Sequence, residues 1–405
     1  MILKIAWRNI WRNKIRSLVV IIAIALGLWA GTFASGFYEG MIGQKINDVI
    51  ENEYSHFQFH HKKFRDELAI KEVIENGEEI REKLNGEEKV VGSSGRVIAT
   101  AMIASANKSG GIKAVGVLPS DEAVVTQLND KIVEGEYFEG IKRNPILISK
   151  KIADDYHLDV KNKLVLTLQD VDGEIISASF RVAGIYKSNN GMFDEMNVFV
   201  QRSDLQNIVN LQPSEFHEIA VLLTEHSLAE QYAKKYADLY TNLEVLPWLD
   251  LAVGMRYMVE ASGTFAYIFV GIILVALLFS IVNTMLMAVM ERTREIGMLK
   301  AVGLNRRKIF SMIMLETVFL SMIGAPLGLL IAYGFIERLG KVGFDLGSVG
   351  EAYSEMGFAA VIYPELGFET YLSITIMVFC MAFIAAIYPA RKALKLNASE
   401  AIRKI

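Results

Sequence analysis

Three histidines lie within six residues of one another in the chain, and histidine side chains can bind a metal ion or carry a proton. His56, His60 and His61 lie near one another in the chain, beside Tyr54 and Phe57. A metal site needs further ligands at regular spacing, and no acidic ligand pattern accompanies these three. The single cysteine of the chain excludes a disulfide framework and a cysteine-based zinc finger. We therefore expect a polar strand face here and no metal site.

Motifs for catalysis and nucleotide binding are absent from the sequence. It contains no Gly-x-Ser-x-Gly, no His-Glu-x-x-His and no Gly-x-Gly-x-x-Gly. It also lacks Gly-x-x-x-x-Gly-Lys-[Ser/Thr], the loop that binds the phosphates of ATP. We therefore expect no catalytic residue, no cofactor and no ATP bound by this chain.

The sequence contains four long apolar runs, and Glu316 is the one acidic or basic residue inside them. A carboxylate in a bilayer costs a few kcal/mol unless it reaches the interface or finds a partner. Arg12, Arg16 or the basic cluster 306–308 could supply that partner. We expect a structural or coupling role rather than proton transfer, because no second intramembrane acid exists to form a relay.

Residues 291–308, which we call the basic connector, follow an apolar run that ends at Met290 and that we expect to be helical. The apolar and charged residues of the connector alternate with helical spacing, Gly303 is suited to end the short helix, and Asn305 is suited to begin the next one. Such a short helix could dock into a groove of a soluble partner or lie on lipid headgroups, and the residues alone leave both open.

Four apolar runs must position these residues, namely 17–38, 263–290, 309–336 and 370–389. Each is long enough to cross a bilayer, which takes about 20 apolar residues. The chain of 405 residues is 52% hydrophobic with a mean hydropathy of +0.30, which few water-soluble proteins combine. The first run is too long for the apolar part of a signal peptide, so we expect a retained anchor.

The distribution of charge predicts the orientation of these runs. Residues 1–16, 291–308 and 390–405 together hold 16 basic and 3 acidic residues, whereas the loop 337–369 holds 2 and 6. By the positive-inside rule both termini and the basic connector are cytoplasmic. In residues 1–16, Trp7 and Trp11 share a helix face with Leu3, which predicts a cytoplasmic interfacial helix. The net charge of −4 disfavours a nucleic-acid partner.

The long segment 39–262 is then an extracytoplasmic domain. Apolar stripes in 39–53 and 249–262 predict stalk helices that continue the spans. Two strand–helix–strand units predict an α/β subdomain of about 54–111 plus 213–247, with a β-rich subdomain of about 112–212 inserted between them. The predicted fold class is a membrane protein with four transmembrane helices, arranged 1 + 3, and a large α+β domain between the first and second.

Three stretches resemble the FtsX-like/MacB-type permeases, the type VII ABC transporters. The connector sequence ERTREIGMLKAVGLNRRKI is similar to their signature, and Tyr388-Pro389-Ala390-Arg391 with Ala398–Arg403 resembles their C-terminal pattern. The N-terminal stretch Ala6–Ser17 resembles theirs as well. Residues 35–41 resemble the lipoprotein-releasing permeases, whereas the connector is closer to the macrolide-exporter type.

The resemblance implies a dimer of permeases, homomeric or heteromeric, with two copies of a separate ABC ATPase that binds ATP and Mg. Because Met1 leads almost directly into the basic N-terminal segment, we expect the ATPase to be a separate polypeptide. The resemblance also implies mechanotransmission in a bacterial inner membrane, in which ATPase closure moves the first two spans and the outer domain. The residues expected to couple to the ATPase are Glu291, Arg292, Thr293, Arg294, Glu295, Ile296, Gly297, Met298, Leu299 and Lys300, with Ile296, Met298 and Leu299 facing it.

The cargo that the resemblance favours is a lipoprotein or another amphiphile extracted from the outer leaflet. Lipoprotein-releasing relatives hold cargo between the first and second spans of the two permeases. The corresponding candidates here are Trp29, Phe33, Phe37, Phe265, Phe269 and Ile272.

Alternatives stay open. The first is efflux of peptides or drugs with an adaptor and an outer-membrane channel. The second is a regulator of a cell-wall hydrolase, which the long outer domain disfavours, and a membrane enzyme is disfavoured by the absent motifs. A periplasmic chaperone or adaptor is a possible further partner.

Overall fold

The computed structural model describes residues 2–105 and 108–395, so the similarity at Ala398–Arg403 lies outside the described residues. Four helices are long and apolar enough to cross a membrane. They are Lys14–Tyr54, Val253–Glu291, Arg306–Val342 and Phe368–Lys395. The predicted arrangement of 1 + 3 spans around an α+β domain is confirmed.

The elements are numbered in chain order. The helices are α1 (Ile2–Arg12), α2 (Lys14–Val49), α3 (Phe64–Glu67), α4 (Gly77–Asn85), α5 (Pro119–Val125), α6 (Lys150–Tyr156), α7 (Gly191–Met196), α8 (Arg202–Val209), α9 (Ala229–Leu239), α10 (Trp248–Leu251), α11 (Val253–Glu291), α12 (Thr293–Ala301), α13 (Arg306–Val342), α14 (Ser348–Glu355) and α15 (Phe368–Lys395). The strands are β1 (Phe57–His61), β2 (Val90–Ala104), β3 (Ser109–Val117), β4 (Ile132–Gly135), β5 (Pro145–Ser149), β6 (Lys163–Gln169), β7 (Ile175–Tyr186), β8 (Asn197–Gln201), β9 (Glu218–Leu223), β10 (Leu243–Pro247), β11 (Phe344–Asp345) and β12 (Val361–Ile362).

The chain forms two compact units. The membrane unit consists of the residues up to Ile42, Val259–Asp345 and those from Val361 on. The inserted unit consists of Gly43–Met258 and Leu346–Ala360. The loop between the third and fourth spans is therefore divided, and α14 belongs to the inserted unit.

Apolar side chains from α2, α11, α13 and α15 form the core of the membrane unit. Its members include Ile24, Leu28, Leu274, Leu277, Ile281, Ile313, Leu320, Ile374 and Val378. Two glycines of α13 allow the closest backbone approach to α2. A Cβ atom on Gly328 would lie 2.7 Å from the carbonyl oxygen of Ala25, and one on Gly324 would lie 3.0 Å from that of Ile21. The small residues therefore let the two helices pack at backbone distance.

The helices extend beyond the predicted spans. Helix α2 begins at Lys14, continues to Val49 and ends in a π-helical turn, Ile50–Tyr54. The next span begins at Val253 after a break at Ala252, which separates it from the short helix α10. Helix α13 continues to Val342, past the predicted end at 336.

Four strands at one end of the inserted unit form an antiparallel sheet in the order β10-β1-β9-β2. Helix α4 connects β1 to β2, and helix α9 connects β9 to β10, which gives two strand–helix–strand units. Phe57, Phe59 and Tyr236 lie in the core between the sheet and these helices. This chain order and strand order are those of the ferredoxin-like motif.

The second part of β2 closes a six-stranded barrel with β3, β5, β6, β7 and β8, and β4 pairs with β7 outside the ring. The pairings run β2-β3-β8-β5-β7-β6 and return to β2, because residues Ala101–Ala104 pair with Val165–Leu168. Closure leaves no free strand edge within the ring. Alternate residues of its strands, such as Leu164, Leu166 and Leu168 of β6, fill the interior.

The boundary predicted between the two subdomains, at 111 and 112, is wrong. It falls inside β3, which belongs wholly to the barrel. The change instead occurs within β2, whose residues up to Arg96 pair with β9 and whose residues from Val97 pair with β3. One strand of fifteen residues is long enough to serve both subdomains, so the sequence shows no linker where they meet.

Candidate functional site

The basic connector folds as a short helix between two capped turns. Helix α12 ends before Gly303, which has a φ of +96° that favours glycine. The N–H of Gly303 donates to the carbonyl of Lys300 at 3.0 Å, and the N–H of Leu304 donates to that of Leu299 at 3.0 Å. This is the Schellman pattern of helix ends. The Asn305 side chain accepts from the N–H of Arg307 and caps α13, as its sequence position predicted.

Arg292 points inward from the connector and binds Glu316. Its Nη1 atom lies 3.0 Å from Oε1 and 3.3 Å from Oε2 of Glu316, and its Nη2 donates to the carbonyl of Asn9 at 3.0 Å. The Nδ2 atom of Asn9 donates to Glu316 Oε1 at 2.6 Å. Glu316 is 8% exposed. These three residues join α1, the connector and α13 in one buried hydrogen-bonded group, which we call the Glu316 triad.

The residue that binds Glu316 directly, Arg292, is not among the expected partners, although Arg16 lies near enough to act on Glu316 electrostatically. Arg306, Arg307 and Lys308 lie in the first turn of α13, roughly 12 Å or more along the axis from Glu316 at 1.5 Å per residue. All three are exposed. Arg292 is nearer because α11 ends at Glu291 and the chain turns there toward the α13 surface.

Arg12 and Arg16 bind the connector instead. Arg12 forms an ion pair with Glu295, and Arg16 forms one with Glu291. Both pairs are more exposed than the Glu316 triad, so each contributes less to stability by itself. Together with the triad they fix both ends of the connector's first turn to the N-terminal segment.

The side chains around this group enclose a cavity of about 470 Å³. Its walls come from α1, the end of α11, α12 and α13. They include Ile5, Met285, Val289, Met298, Leu299, Val302 and Met312 together with the Glu316 triad. The cavity is thus apolar except where the triad and the Arg12–Glu295 ion pair line it.

The residues expected to contact the ATPase divide into two sets. Arg294 and Met298 are exposed, and Val302 beside them is 84% exposed. Leu299 is half-buried. Ile296 is 3% exposed and packs into the core of the membrane unit, so the expectation that it faces a partner is wrong. Ile296 lies two positions before Met298, which places the two side chains on opposite sides of the helix.

Two further connector residues bind neighbouring backbone, and a third is buried. Lys300 Nζ donates to the carbonyl of Leu394 at 2.8 Å, near the described end of α15. The Thr293 hydroxyl donates to the carbonyl of Met290 at 2.6 Å. Gly297 is buried. These contacts hold α12 in place and leave Arg294, Met298 and Val302 as its outward surface.

The aromatic residues of the predicted cargo cleft lie in two separate places. Trp29 stacks on Phe33 with ring centroids 5.9 Å apart, and both rings contact Phe335 of α13 at 5.7 and 6.0 Å. Phe37 contacts Phe344 at 5.7 Å. The aromatic face of α2 therefore packs on Phe335 near the end of α13 and on Phe344 just beyond that helix. The sequence pattern did not indicate this packing.

On α11 the candidate residues stay outward. Phe265, Phe269 and Ile272 are 49%, 50% and 63% exposed. Among the residues that the structure describes, no aromatic ring contacts Phe265 or Phe269. One chain alone thus does not bring the two predicted walls together.

The histidines of the inserted unit serve the fold. His56 and His60 are buried, and His61 lies 2.7 Å from Glu72. Burial lowers the pKa of His56 to about 4. Within residues 2–105 and 108–395 no group of three or more His, Cys, Asp or Glu side chains is arranged to hold a metal ion. The expected polar strand face is wrong for His60, because β1 lies between β10 and β9 and is covered on both faces.

Asn9, Gly324 and Gly328 are the residues that sequence reasoning missed. Asn9 lies inside the N-terminal stretch that resembles the permease family, between two basic residues. The glycines are four residues apart in an apolar run, which is the spacing typical of close helix packing. Both signals were present in the sequence.

Comparison with known proteins agrees with this architecture. Residues 267–398 match the family model described as FtsX-like permease C-terminal, and residues 17–239 match the MacB-like periplasmic core domain. The chain is 28% identical over 291 residues to the ABC transporter permease YtrF of Bacillus subtilis, which covers 66% of this chain and 63% of that protein.

Two further relatives represent the competing subgroups. The lipoprotein-releasing system transmembrane protein LolC of Neisseria meningitidis is 22% identical over 326 residues, which is 75% of each chain. The macrolide export ATP-binding/permease protein MacB of Bdellovibrio bacteriovorus is 34% identical over 125 residues, which is 30% of this chain and 16% of that protein. The two family models match residues 17–239 and 267–398, and the chain belongs to the ABC transporter permeases that combine an FtsX-like permease part with a MacB-like periplasmic core domain.

Proposed function

We propose that this multi-pass membrane protein extracts lipoproteins or another amphiphile from the outer leaflet, driven by ATP hydrolysis on a separate ATPase subunit. Similarity to lipoprotein-releasing proteins supports the cargo, since it extends over three quarters of the chain and so includes the inserted unit. The basic residues of the N-terminal segment and the connector support an orientation with both on the cytoplasmic side.

The Glu316 triad is the observation that carries the coupling role. A buried Arg–carboxylate pair that also binds Asn9 allows little independent movement of the three elements that it joins. A force applied to the outward surface of α12 is therefore transmitted to α1 and α13 together. Helix α2 follows, because Gly324 and Gly328 pack against its backbone.

The outward surface of α12 is the proposed ATPase contact. Arg294 supplies a charge, and Met298 and Val302 supply apolar area next to the cavity. A mixed surface of this kind suits a groove on a soluble partner. Family resemblance further suggests two ATPase copies, a second permease, and ATP with Mg on the ATPase.

The ATPase contact is tested by co-purifying the ATPase with variants of this chain. We expect Arg294→Glu and Met298→Glu to lose the ATPase at an unchanged thermal midpoint. Lys14→Glu, an exposed cation outside α12, is the matched control. Normal co-purification and transport with Arg294→Glu and Met298→Glu together would refute the proposed contact.

A charge exchange tests the triad separately. Arg292→Glu places two carboxylates together and should lower the thermal midpoint and uncouple ATP hydrolysis from transport. Arg292→Glu combined with Glu316→Arg should restore part of both. If the double variant is worse than either single one, the pairing does not transmit force.

The cargo is tested by photo-crosslinking in cells from positions 265 and 269 on α11. We expect crosslinks to a lipoprotein or another amphiphile, with position 335 on α13 as the control. Crosslinks to protein of the transporter alone would reject the cargo. They would favour the second candidate, efflux of peptides or drugs with an adaptor and channel, which the 34% identity to MacB over 125 residues supports.

A further inference from the structure

A second cavity lies at the ends of α13 and α15 farther from the basic connector. It has a volume of about 290 Å³ and is lined by three tyrosines and two glutamates. These are Tyr333, Tyr363, Tyr371, Glu337 and Glu365. None of them belongs to the coupling or cargo candidates.

The side chains of this cavity suit an ammonium group. The rings of Tyr333 and Tyr371 lie 6.5 Å apart at an interplanar angle of 55°, and both residues line the cavity. Aromatic faces attract cations through their negative quadrupole. Glu365 lines the same space, and in the described part of the chain it forms no ion pair. The Glu365 carboxylate and the three rings give the cavity a preference for positive charge.

Lys341 adds a place for an anion beside that cation. It also lines the cavity and binds Glu337 at 2.6 Å, while remaining 74% exposed on its side chain. A ligand with an ammonium group a few ångströms from a phosphate would therefore meet both charges. That combination is the headgroup of a zwitterionic phospholipid.

The position along α13 agrees with a lipid source. Glu337 follows Glu316 by one bilayer thickness, since the helical rise between them gives roughly 31 Å against roughly 30 Å for the hydrocarbon core. With the Glu316 triad near one membrane surface, the cavity lies at headgroup level of the opposite leaflet. Tyr333 and Tyr363 are 58% and 43% exposed, so a headgroup can reach them from that leaflet.

We propose that this cavity binds the ammonium-bearing headgroup of a phospholipid in the leaflet opposite the basic connector. Glu365 and the rings of Tyr333 and Tyr371 hold the ammonium group, and Lys341 contacts the phosphate. The site is distinct from the cargo candidates and does not depend on the ATPase.

The test is lipid retention by the full-length chain in nanodiscs of equal phosphatidylethanolamine and phosphatidylglycerol, measured by native mass spectrometry. We expect phosphatidylethanolamine to be enriched about two- to fivefold, the size of one exposed cation–π contact. Glu365→Gln and Tyr371→Leu should each bring the ratio close to that of the bulk lipid. Glu369→Gln, an exposed acid nearby that does not line the cavity, should leave the enrichment unchanged.

Three outcomes would overturn the proposal. Equal retention of the two lipids by the unaltered chain would show that the cavity does not select an ammonium group. Unchanged enrichment in both Glu365→Gln and Tyr371→Leu would place the selection elsewhere. Displacement of the lipid by millimolar glycerophosphoethanolamine would assign the cavity to a water-soluble amine instead, whereas retention supports the lipid.

Discussion

At the scale of single residues, each of the two units contains a largely buried arginine that is paired with one or more carboxylates of the same unit. In the inserted unit, Arg96 binds Glu122 and Glu218 at 2.7 Å each and donates to the carbonyl of Glu53 at 2.9 Å. Burial alone would lower the pKa of Arg96, but the two carboxylates raise it above its ordinary value. Because Arg96 lies where β2 passes from the sheet into the barrel, it joins both subdomains to the turn that ends α2.

Replacing this arginine should destabilise the protein strongly. Arg96→Met leaves Glu122 and Glu218 buried without a counter-charge, which costs about 3–5 kcal/mol. Arg65→Met is the control, because Arg65 pairs with Glu244 at 3.4 Å with both side chains about a third exposed, and such pairs contribute under about 1 kcal/mol. Thermal unfolding of the full chain in detergent measures both. Equal shifts for the two variants would contradict the role of Arg96.

Two buried histidines predict a loss of stability in acid. The N–H of Ile98 donates to His217 Nδ1 at 2.9 Å, and that of Leu223 donates to His56 Nδ1 at 2.8 Å. A proton on either nitrogen would oppose the N–H that it now accepts. Burial accordingly lowers the pKa of both histidines to about 4.

The sign of the effect follows from the unfolded state, in which histidine has a pKa of about 6.5 and binds more protons. Stability is therefore complete above about pH 6.5 and is lost as the pH falls toward 4, by about 2 kcal/mol per histidine at pH 5. Unfolding midpoints at pH 7 and pH 5 measure this loss. His217→Asn should reduce the pH dependence, and an unchanged dependence would exclude His217 as its source.

Close packing of two helices is the feature that dominates at the scale of elements. Helix α13 carries Gly324 and Gly328 against α2 and Gly334 on an open surface, where a Cβ atom would meet nothing within 4 Å. The same helix therefore offers a packed and an unpacked glycine of identical backbone conformation. Glu316 lies on this helix too, so the packing of α13 bears on the proposed coupling.

The two kinds of glycine should respond oppositely to alanine. Gly334→Ala should stabilise the protein by up to about 1 kcal/mol, the difference in helix propensity. Gly328→Ala should destabilise it, because the added methyl would lie 2.7 Å from the Ala25 carbonyl oxygen and 2.9 Å from its Cα. Thermal midpoints of the two variants in detergent give the comparison. A gain in stability from Gly328→Ala would show that α13 and α2 can move apart to admit the methyl group without lowering the stability of the protein.

The whole molecule combines a membrane unit and an inserted unit, each with a core of its own. From the order of the four spans along the chain, we expect the N-terminal helix and the basic connector on one side of the membrane and the inserted unit on the other. The excess of basic residues in the first two predicts that their side is the cytoplasm.

Cysteine labelling measures this orientation. In a Cys380→Ser background, Glu139→Cys in the inserted unit should react with a membrane-impermeant maleimide in intact spheroplasts. Arg307→Cys in the basic connector should react only after permeabilisation. Both positions are exposed, so access depends on the side of the membrane. The reverse pattern would invert the orientation.

The sequence by itself determined features that depend on neighbouring residues. The spans follow from hydropathy over about 20 residues, and the cap at Asn305 follows from one side chain. The family resemblance likewise rests on contiguous motifs, which is why the permease class could be predicted.

Only the tertiary structure decided which distant residues meet. Arg292 binds Glu316, Trp29 packs on Phe335, and β2 pairs with β6 to close the barrel. Each contact depends on how helices cross or how a sheet curves, and local periodicity does not encode either. Ile296 illustrates the limit, since an apolar residue on an amphipathic helix can face a partner or the protein's own core, and the packing of α12 onto the membrane unit makes the choice.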